Sequence, residues 1–205
     1  MIAALVLAAG TSTRMGRPKP TLPLEGGLML EKVLGTLRRS KIDRVVVVLG
    51  ADKEEVKRKV KFQGETVLFN RRYKLGMGGS LKVGLKAVEQ TADAVLVALG
   101  DQPFVSPATI DRLVDAYVAS RALVIAPLYR GFRGNPILFD KSLFPQIMRI
   151  SGDRGAKSVV EANRGKLMEV EVEDRGVVFD VDTPTDYEEA TRNAPVRRAR
   201  TRARG

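Results

Sequence analysis

The strongest constraint on this chain is its rhythm: short apolar, β-branched runs alternate with amphipathic segments through most of its length. Ala3–Ala9, Arg44–Leu49, Thr66–Phe69, Ala94–Leu99 and Leu123–Pro127 have the length and composition of strands buried on both faces. Between them, about Leu30–Arg39, Lys53–Lys61, Gly79–Gln90 and Pro107–Ser120 carry helical patterns. The last is opened by Ser106 as a capping residue and Pro107 in the first turn. Strands and helices in alternation, with short joins, call for a mostly parallel sheet covered by helices on both sides. After Pro127 the rhythm changes. Asn135–Asp140, Leu167–Val172 and Val177–Val181 are strand-like, with a helix near Ala156–Asn163 and a final helix at about Pro184–Arg192. The expectation is one three-layer α/β/α domain over residues 1–194, large enough to bury a core without disulfides or structural metal.

Composition then narrows the chemistry. With no histidine and no cysteine, the chain has no thiol nucleophile, no imidazole acid–base group and no Cys/His zinc site. Any reaction must run on carboxylates, amines, guanidiniums, hydroxyls, backbone amides or a bound hard cation. Absence of cysteine also suits a reducing compartment. The opening Met1–Gly16 is apolar at first but lacks a basic leader, and no stretch is long enough to cross a bilayer. A buried first strand and a cytoplasmic protein with no membrane partner are the expectation. Five charges of the formal +11 are Arg197, Arg198, Arg200, Arg202 and Arg204. Residues 195–205 therefore read as a disordered arginine-rich tail, with no more than weak, salt-dependent affinity for nucleic acid. The remaining positive charge suits an enzyme whose ligands carry several phosphates.

Ligands of open α/β sheets bind beyond the carboxyl ends of the strands, and there the sequence gathers glycines, cations and carboxylates. After the first strand comes Gly10-Thr11-Ser12-Thr13-Arg14-Met15-Gly16-Arg17-Pro18-Lys19, a loop able to wrap a triphosphate with amides and cations together. Its spacing is neither that of a P-loop nor that of a dinucleotide fingerprint. Asp101, in Leu99-Gly100-Asp101-Gln102-Pro103, is placed as a Mg²⁺ ligand or as a turn aspartate before proline. Asp180 and Asp182 alternate, so on a strand both face one side, while Thr183 caps the helix that Pro184 begins. Asn70 and Gly76–Leu81 form another candidate, since Gly78, Gly79 and Ser80 open a helix whose free amides suit a polar or anionic ligand edge.

The stretch Leu7-Ala8-Ala9-Gly10 through Lys19, of the form LAAGxSxRMGxxK, resembles the signature loop of the nucleotidyltransferases that modify molybdopterin. The resemblance runs from Leu5 to about Tyr187 and implies a Rossmann-like nucleotidyltransferase fold. It implies that Leu7, Ala8, Ala9, Gly10, Gly16 and Lys19 hold the nucleotide, with Arg14 and Lys19 on its phosphates. It also implies that Asp101 and Asp182 bind Mg²⁺, or Mn²⁺ in its place, supported by Asp180. Asn70, Gly76 and Ser80 fall where relatives recognise base and ribose. Gly131-Phe132-Arg133-Gly134-Asn135-Pro136 and Ser151-Gly152-Asp153-Arg154-Gly155-Ala156 are similar to the molybdopterin-type enzymes, making Arg133, Asn135, Asp153 and Arg154 candidates for holding the acceptor. Many relatives have histidine where this chain has Asn135, so a role needing a protonatable ring is lost.

An acceptor phosphate is already an anionic nucleophile, so in-line attack on the α-phosphate needs positioning and charge neutralisation, and no histidine. Ala9, where guanylyltransferases of the family usually carry glycine, favours CTP and a cytosine dinucleotide product. Guanylyl transfer, a sugar-phosphate or other small phosphate acceptor, and a catalytically silent binding module are the other readings. A molybdoenzyme that receives the finished cofactor is the protein partner the resemblance suggests.

Overall fold

The computed structural model describes residues 1–150 and 155–192; Asp153, Arg154 and the arginine-rich tail lie outside them. The strands are β1 (Ile2–Ala8), β2 (Pro23–Leu24), β3 (Gly27–Leu28), β4 (Arg44–Leu49), β5 (Thr66–Phe69), β6 (Ala94–Leu99), β7 (Val124–Tyr129), β8 (Phe132–Arg133), β9 (Ile137–Asp140) and β10 (Leu167–Glu171). The helices are α1 (Met29–Arg38), α2 (Lys53–Lys59), α3 (Met77–Lys86), α4 (Pro107–Ser120), α5 (Phe144–Ile147), α6 (Lys157–Ala162) and α7 (Pro184–Arg192).

β1 lies inside the sheet, parallel to β4 on one side and β6 on the other. The full order is β10-β7-β9-β6-β1-β4-β5, with β8 folded back on β7. β9 runs antiparallel to both its neighbours, and β10 is parallel to β7. Strand side chains alternate between faces, so β1 feeds two cores at once. Ala4 and Val6 join Leu34, Leu37 and Leu113 of α1 and α4. Ala3, Leu5 and Leu7 join Leu81 and Leu85 of α3, Ile147 of α5 and Val159 of α6. This is the expected three-layer α/β/α fold with a mostly parallel sheet.

One expected strand is absent. Arg175–Val178 is a 3-10 turn, not the start of a strand over Val177–Val181. Val177 and Val181 are buried, as their apolar character demanded, but in two different clusters rather than in a ladder. Asp174 stops strand formation by accepting from the Gly176 amide at 2.9 Å, which closes the turn. Asp180 and Asp182 therefore do not share a strand face. The two-residue strands β2, β3 and β8 and the single turn of α5 were not foreseen, being too short to show a period. β2 and β3 form a hairpin whose Leu24 packs with Leu22, Met29, Val181 and Ala190. That small cluster joins the first loop, the hairpin and α7 beside the strand ends.

Candidate active site

The site is built where β1 and β6 end. Gly100 lets the two chain exits approach: a Cβ there would lie 2.9 Å from the Ala8 Cβ, and its amide donates to the Leu7 carbonyl at 3.0 Å. From this junction the loop rises through Ser12, whose carbonyl accepts from Met15 N at 3.0 Å and whose hydroxyl accepts from Lys19 N at 3.0 Å. Gly16 turns the loop with a φ of 67°, a conformation that favours glycine. The loop thus returns Lys19 to the strand ends while Arg14 and Arg17 stay exposed.

Lys19 is the hub. Its ammonium donates to Asp101 Oδ2 at 2.9 Å and to Asp182 Oδ1, and Arg14 reaches Asp182 Oδ2 at 3.3 Å. Burial alone would lower the Lys19 pKa, but attraction to Asp101 and hydrogen bonds to both carboxylates outweigh it and raise it above the ordinary lysine value. Asp180 stands beside them, open to solvent on the cleft side. Partial desolvation first, then the Asp101 charge, raise its pKa, opposed by a 2.6 Å hydrogen bond from Gln102 Nε2. Asp182 is held from behind: its amide and that of Thr183 both donate to Asp186, while the Thr183 hydroxyl accepts from the Asp186 amide at 3.2 Å. Thr183 thus caps α7 as the sequence indicated, with Asp186 completing a reciprocal box.

A cleft of about 500 Å³ opens from these charges, lined by Leu7, Ala9, Gly10, Ser80, Asp101 and Asp182 among others. Ala8 and Lys19 line a smaller recess of about 90 Å³ that shares Leu7, Gly10 and Asp101 with the cleft. Gly76 lies on the opposite wall, together with Tyr73, Lys74 and Met77. Met77 falls within the Gly76–Leu81 candidate, whereas Tyr73 and Lys74 stand outside it, and nothing in their spacing sets those two apart from an ordinary polar loop. Asn70 is placed differently from its expected role. It is 5% exposed, its amide donates to Ser80 Oγ at 3.0 Å, and its oxygen accepts from Arg72 N at 2.9 Å. It fixes the entry to α3 rather than facing the cleft. Arg133 and Asn135 are likewise not among the cleft-lining residues. Arg133 forms an ion pair with Glu169 at 2.6 Å, and the Asn135 amide donates to the Val177 carbonyl at 2.8 Å.

Two carboxylates converging on one cation, with oxygen donors only, suit a hard divalent ion whose remaining ligands are phosphate oxygens and water. Among the described residues no three acidic side chains form a ready-made cage. None of their helices is long and apolar enough to cross a membrane.

A doubly covered sheet, a cationic loop carrying Gly10 and Gly16 and paired carboxylates at one edge of the cleft are the parts a nucleotidyltransferase needs. Residues 4–168 match the MobA-like NTP transferase domain, and the chain belongs to that family of divalent-metal-dependent enzymes. It is 30% identical over 191 residues to the nicotine blue oxidoreductase of Paenarthrobacter nicotinovorans, covering 89% of this chain and 92% of the relative. It is 28% identical over 188 residues to the molybdenum cofactor cytidylyltransferase of Escherichia coli K12, with the same coverage. The Rv0371c protein of Mycobacterium tuberculosis H37Rv, solved as a manganese complex, superposes with a TM-score of 0.80 at 29% identity, over 94% of this chain and 98% of that one.

Proposed function

We propose that this enzyme transfers CMP from CTP to the phosphate of molybdopterin cofactor and releases pyrophosphate, using Mg²⁺ or Mn²⁺. The observation that carries the reading is the convergence of Lys19, Asp101 and Asp182 at the root of the cationic loop. An acceptor phosphate oxygen forms the new bond to the α-phosphorus, the bond to the bridging oxygen breaks, and pyrophosphate leaves with that electron pair. No proton need be abstracted from the nucleophile, which agrees with a chain lacking histidine.

In this reading Asp101 and Asp182 hold the divalent ion, which when bound neutralises charge on the phosphates. Lys19 and Arg14 lie close enough to the same carboxylates to offset charge on the departing pyrophosphate. Leu7, Ala8, Ala9 and Gly10 form the nucleotide wall, and Gly76 and Ser80 face it. Gly16 supports the phosphate loop through its turn. Arg133, Asn135, Asp153 and Arg154 are read as the residues that hold the acceptor. Ala9 favours cytosine, and the Escherichia coli cytidylyltransferase is the relative that supports that choice. The catalytic domain is read as residues 1–194, working in the cytoplasm and passing its product to a molybdoenzyme, with residues 195–205 as an appended tail.

The test is pyrophosphate release with Mg²⁺ and molybdopterin, offering CTP, GTP, ATP and UTP separately. Release with CTP alone is the expected result. Release with GTP instead would keep the mechanism and overturn the base; silence with all four would overturn the acceptor.

A further inference from the structure

Gln102 follows Asp101 in the turn after β6 and is 4% exposed. Its Nε2 donates to Asp180 Oδ1 at 2.6 Å and to the Val177 carbonyl at 3.3 Å. Both partners offer oxygen lone pairs, so the amide has one workable orientation: turned over, its own oxygen would face two acceptors. Both amide protons are therefore committed. Among the described residues, Gln102 Oε1 is the one buried side-chain polar atom without a hydrogen-bond partner. A buried orphan acceptor is costly, and its persistence points to a role for the group that carries it. Val33, Leu37, Ala98 and Val105 wall a void of about 10 Å³ beside this side chain, so packing confines the amide to its place.

What that amide grips is the Asp180 carboxylate, which has no other hydrogen-bond partner among the described residues. Residues 179–183 belong to no strand or helix, and the Asp180 side chain makes its hydrogen bond with Gln102 while lying near two other carboxylates. On the far side of Asp180 the chain is tied by Val181 N to the Asp101 carbonyl at 3.0 Å and by the Asp182 and Thr183 amides to Asp186, so the Asp180 side chain itself depends on Gln102. Without Gln102, like-charge repulsion would turn Asp180 out toward solvent. The Val177 carbonyl also accepts from Asn135 N, so the same amide ties the β6 turn to the segment leading into β9.

We infer that Gln102 is a positioning residue for divalent-ion binding: it holds Asp180, and with it residues 177–182, against Asp101 so that the acidic edge of the cleft stays assembled. The inference rests on the proposed metal site and adds no contact with substrate. It can be tested on the full chain by titrating Mn²⁺ and following the free-ion signal by electron paramagnetic resonance, with circular dichroism and thermal unfolding alongside. Gln102→Met removes the donors at similar volume, and Gln102→Asn keeps an amide too short to reach Asp180, so either variant that folds carries the test. The expected result is Mn²⁺ binding weakened roughly ten- to a hundredfold in the folded variants. Asp182→Ala serves as the reference loss. Folded Gln102 variants that bind Mn²⁺ within about twofold of wild type, whatever their unfolding midpoint, would overturn the inference alone. A wild-type chain that binds no Mn²⁺, or an Asp182→Ala variant that binds normally, would overturn the metal site and the inference together.

Discussion

The two ends of the sheet treat aspartate in opposite ways. At the end away from the cleft, Asp43 accepts from Ile2 N at 2.7 Å, and Asp140 accepts from the Tyr117 hydroxyl at 2.8 Å and Ser142 N at 2.9 Å. Hydrogen bonds from the Met1 ammonium and then Lys141 hold the Asp93 carboxyl down at about 2. For Asp140 burial works against the charge, but donated hydrogen bonds win and its pKa is lowered. Burial and the bond to Asp140 together push the Tyr117 phenol up to about 12, so it stays a donor throughout the physiological range. At the cleft end, Asp101, Asp180 and Asp182 crowd around one lysine, and the Asp180 pKa moves upward. One end stabilises the charged form of its aspartates; at the other, Lys19 is stabilised as a cation while Asp180 is pushed toward its neutral form. A carboxylate held against its electrostatic preference in a cleft is a mark of a functional site.

That contrast can be broken most severely at Asp101. Asp101→Ala is expected to lower turnover by at least about a thousandfold in the pyrophosphate assay, with the fold intact by circular dichroism. A near-normal rate would take Asp101 out of the metal site. Lys19→Met is expected to cost about a hundredfold in kcat and also to lower stability, since it leaves Asp101 and Asp182 facing each other unscreened. A faster-unfolding but fully active variant would make Lys19 a purely structural cation.

The opposite end should respond in reverse. Tyr117→Phe removes a hydroxyl that bonds Asp140 and the Asp93 carbonyl at 3.0 Å. It is expected to cost about 1–2 kcal/mol in denaturant unfolding while leaving kcat unchanged. The smallest effect belongs to Asp93. A carboxylate with a depressed folded pKa stabilises the fold while ionised, so its contribution is present above the ordinary aspartate range and disappears as pH falls through about 2. The difference in unfolding midpoint between wild type and Asp93→Asn should follow that window; a difference that persists unchanged at pH 2 would assign the effect to something other than charge.

Much of the fold could be read from the chain because its buried strands are uninterrupted apolar runs. Arg44–Leu49, Thr66–Phe69, Ala94–Leu99 and the helix Pro107–Ser120 have the bounds that pattern and capping indicated. The failure at Val177–Val181 has a physical cause: two buried valines four residues apart fit a tight turn as well as a ladder, and only the partner of Asp174 decides between them. Of the candidate site, the loop, Asp101 and Asp182 were legible because each follows a strand end or starts a helix. Asn70 was legible as a special position, yet its role turned on Ser80 and Arg72, whose proximity no spacing reveals. Gln102 lay in plain view within the Asp101 turn. Its partners come from seventy-five residues or more along the chain, so sequence alone offered no reason to single it out.

The reversed strand β9 has a consequence for the chain as it leaves the ribosome. β6, an unbroken Ala-Val-Leu-Val-Ala-Leu run, has its β1 partner already synthesised when residues 94–99 emerge, but the strand that covers its other edge, Ile137–Asp140, is made about forty residues later. During that interval a nascent chain presents an apolar, uncharged strand edge of the kind that recruits identical strands from neighbouring polypeptides. Translation speed across residues 100–140 would thus set how long each new molecule is open to co-aggregation, a hazard the finished sheet no longer carries at that edge.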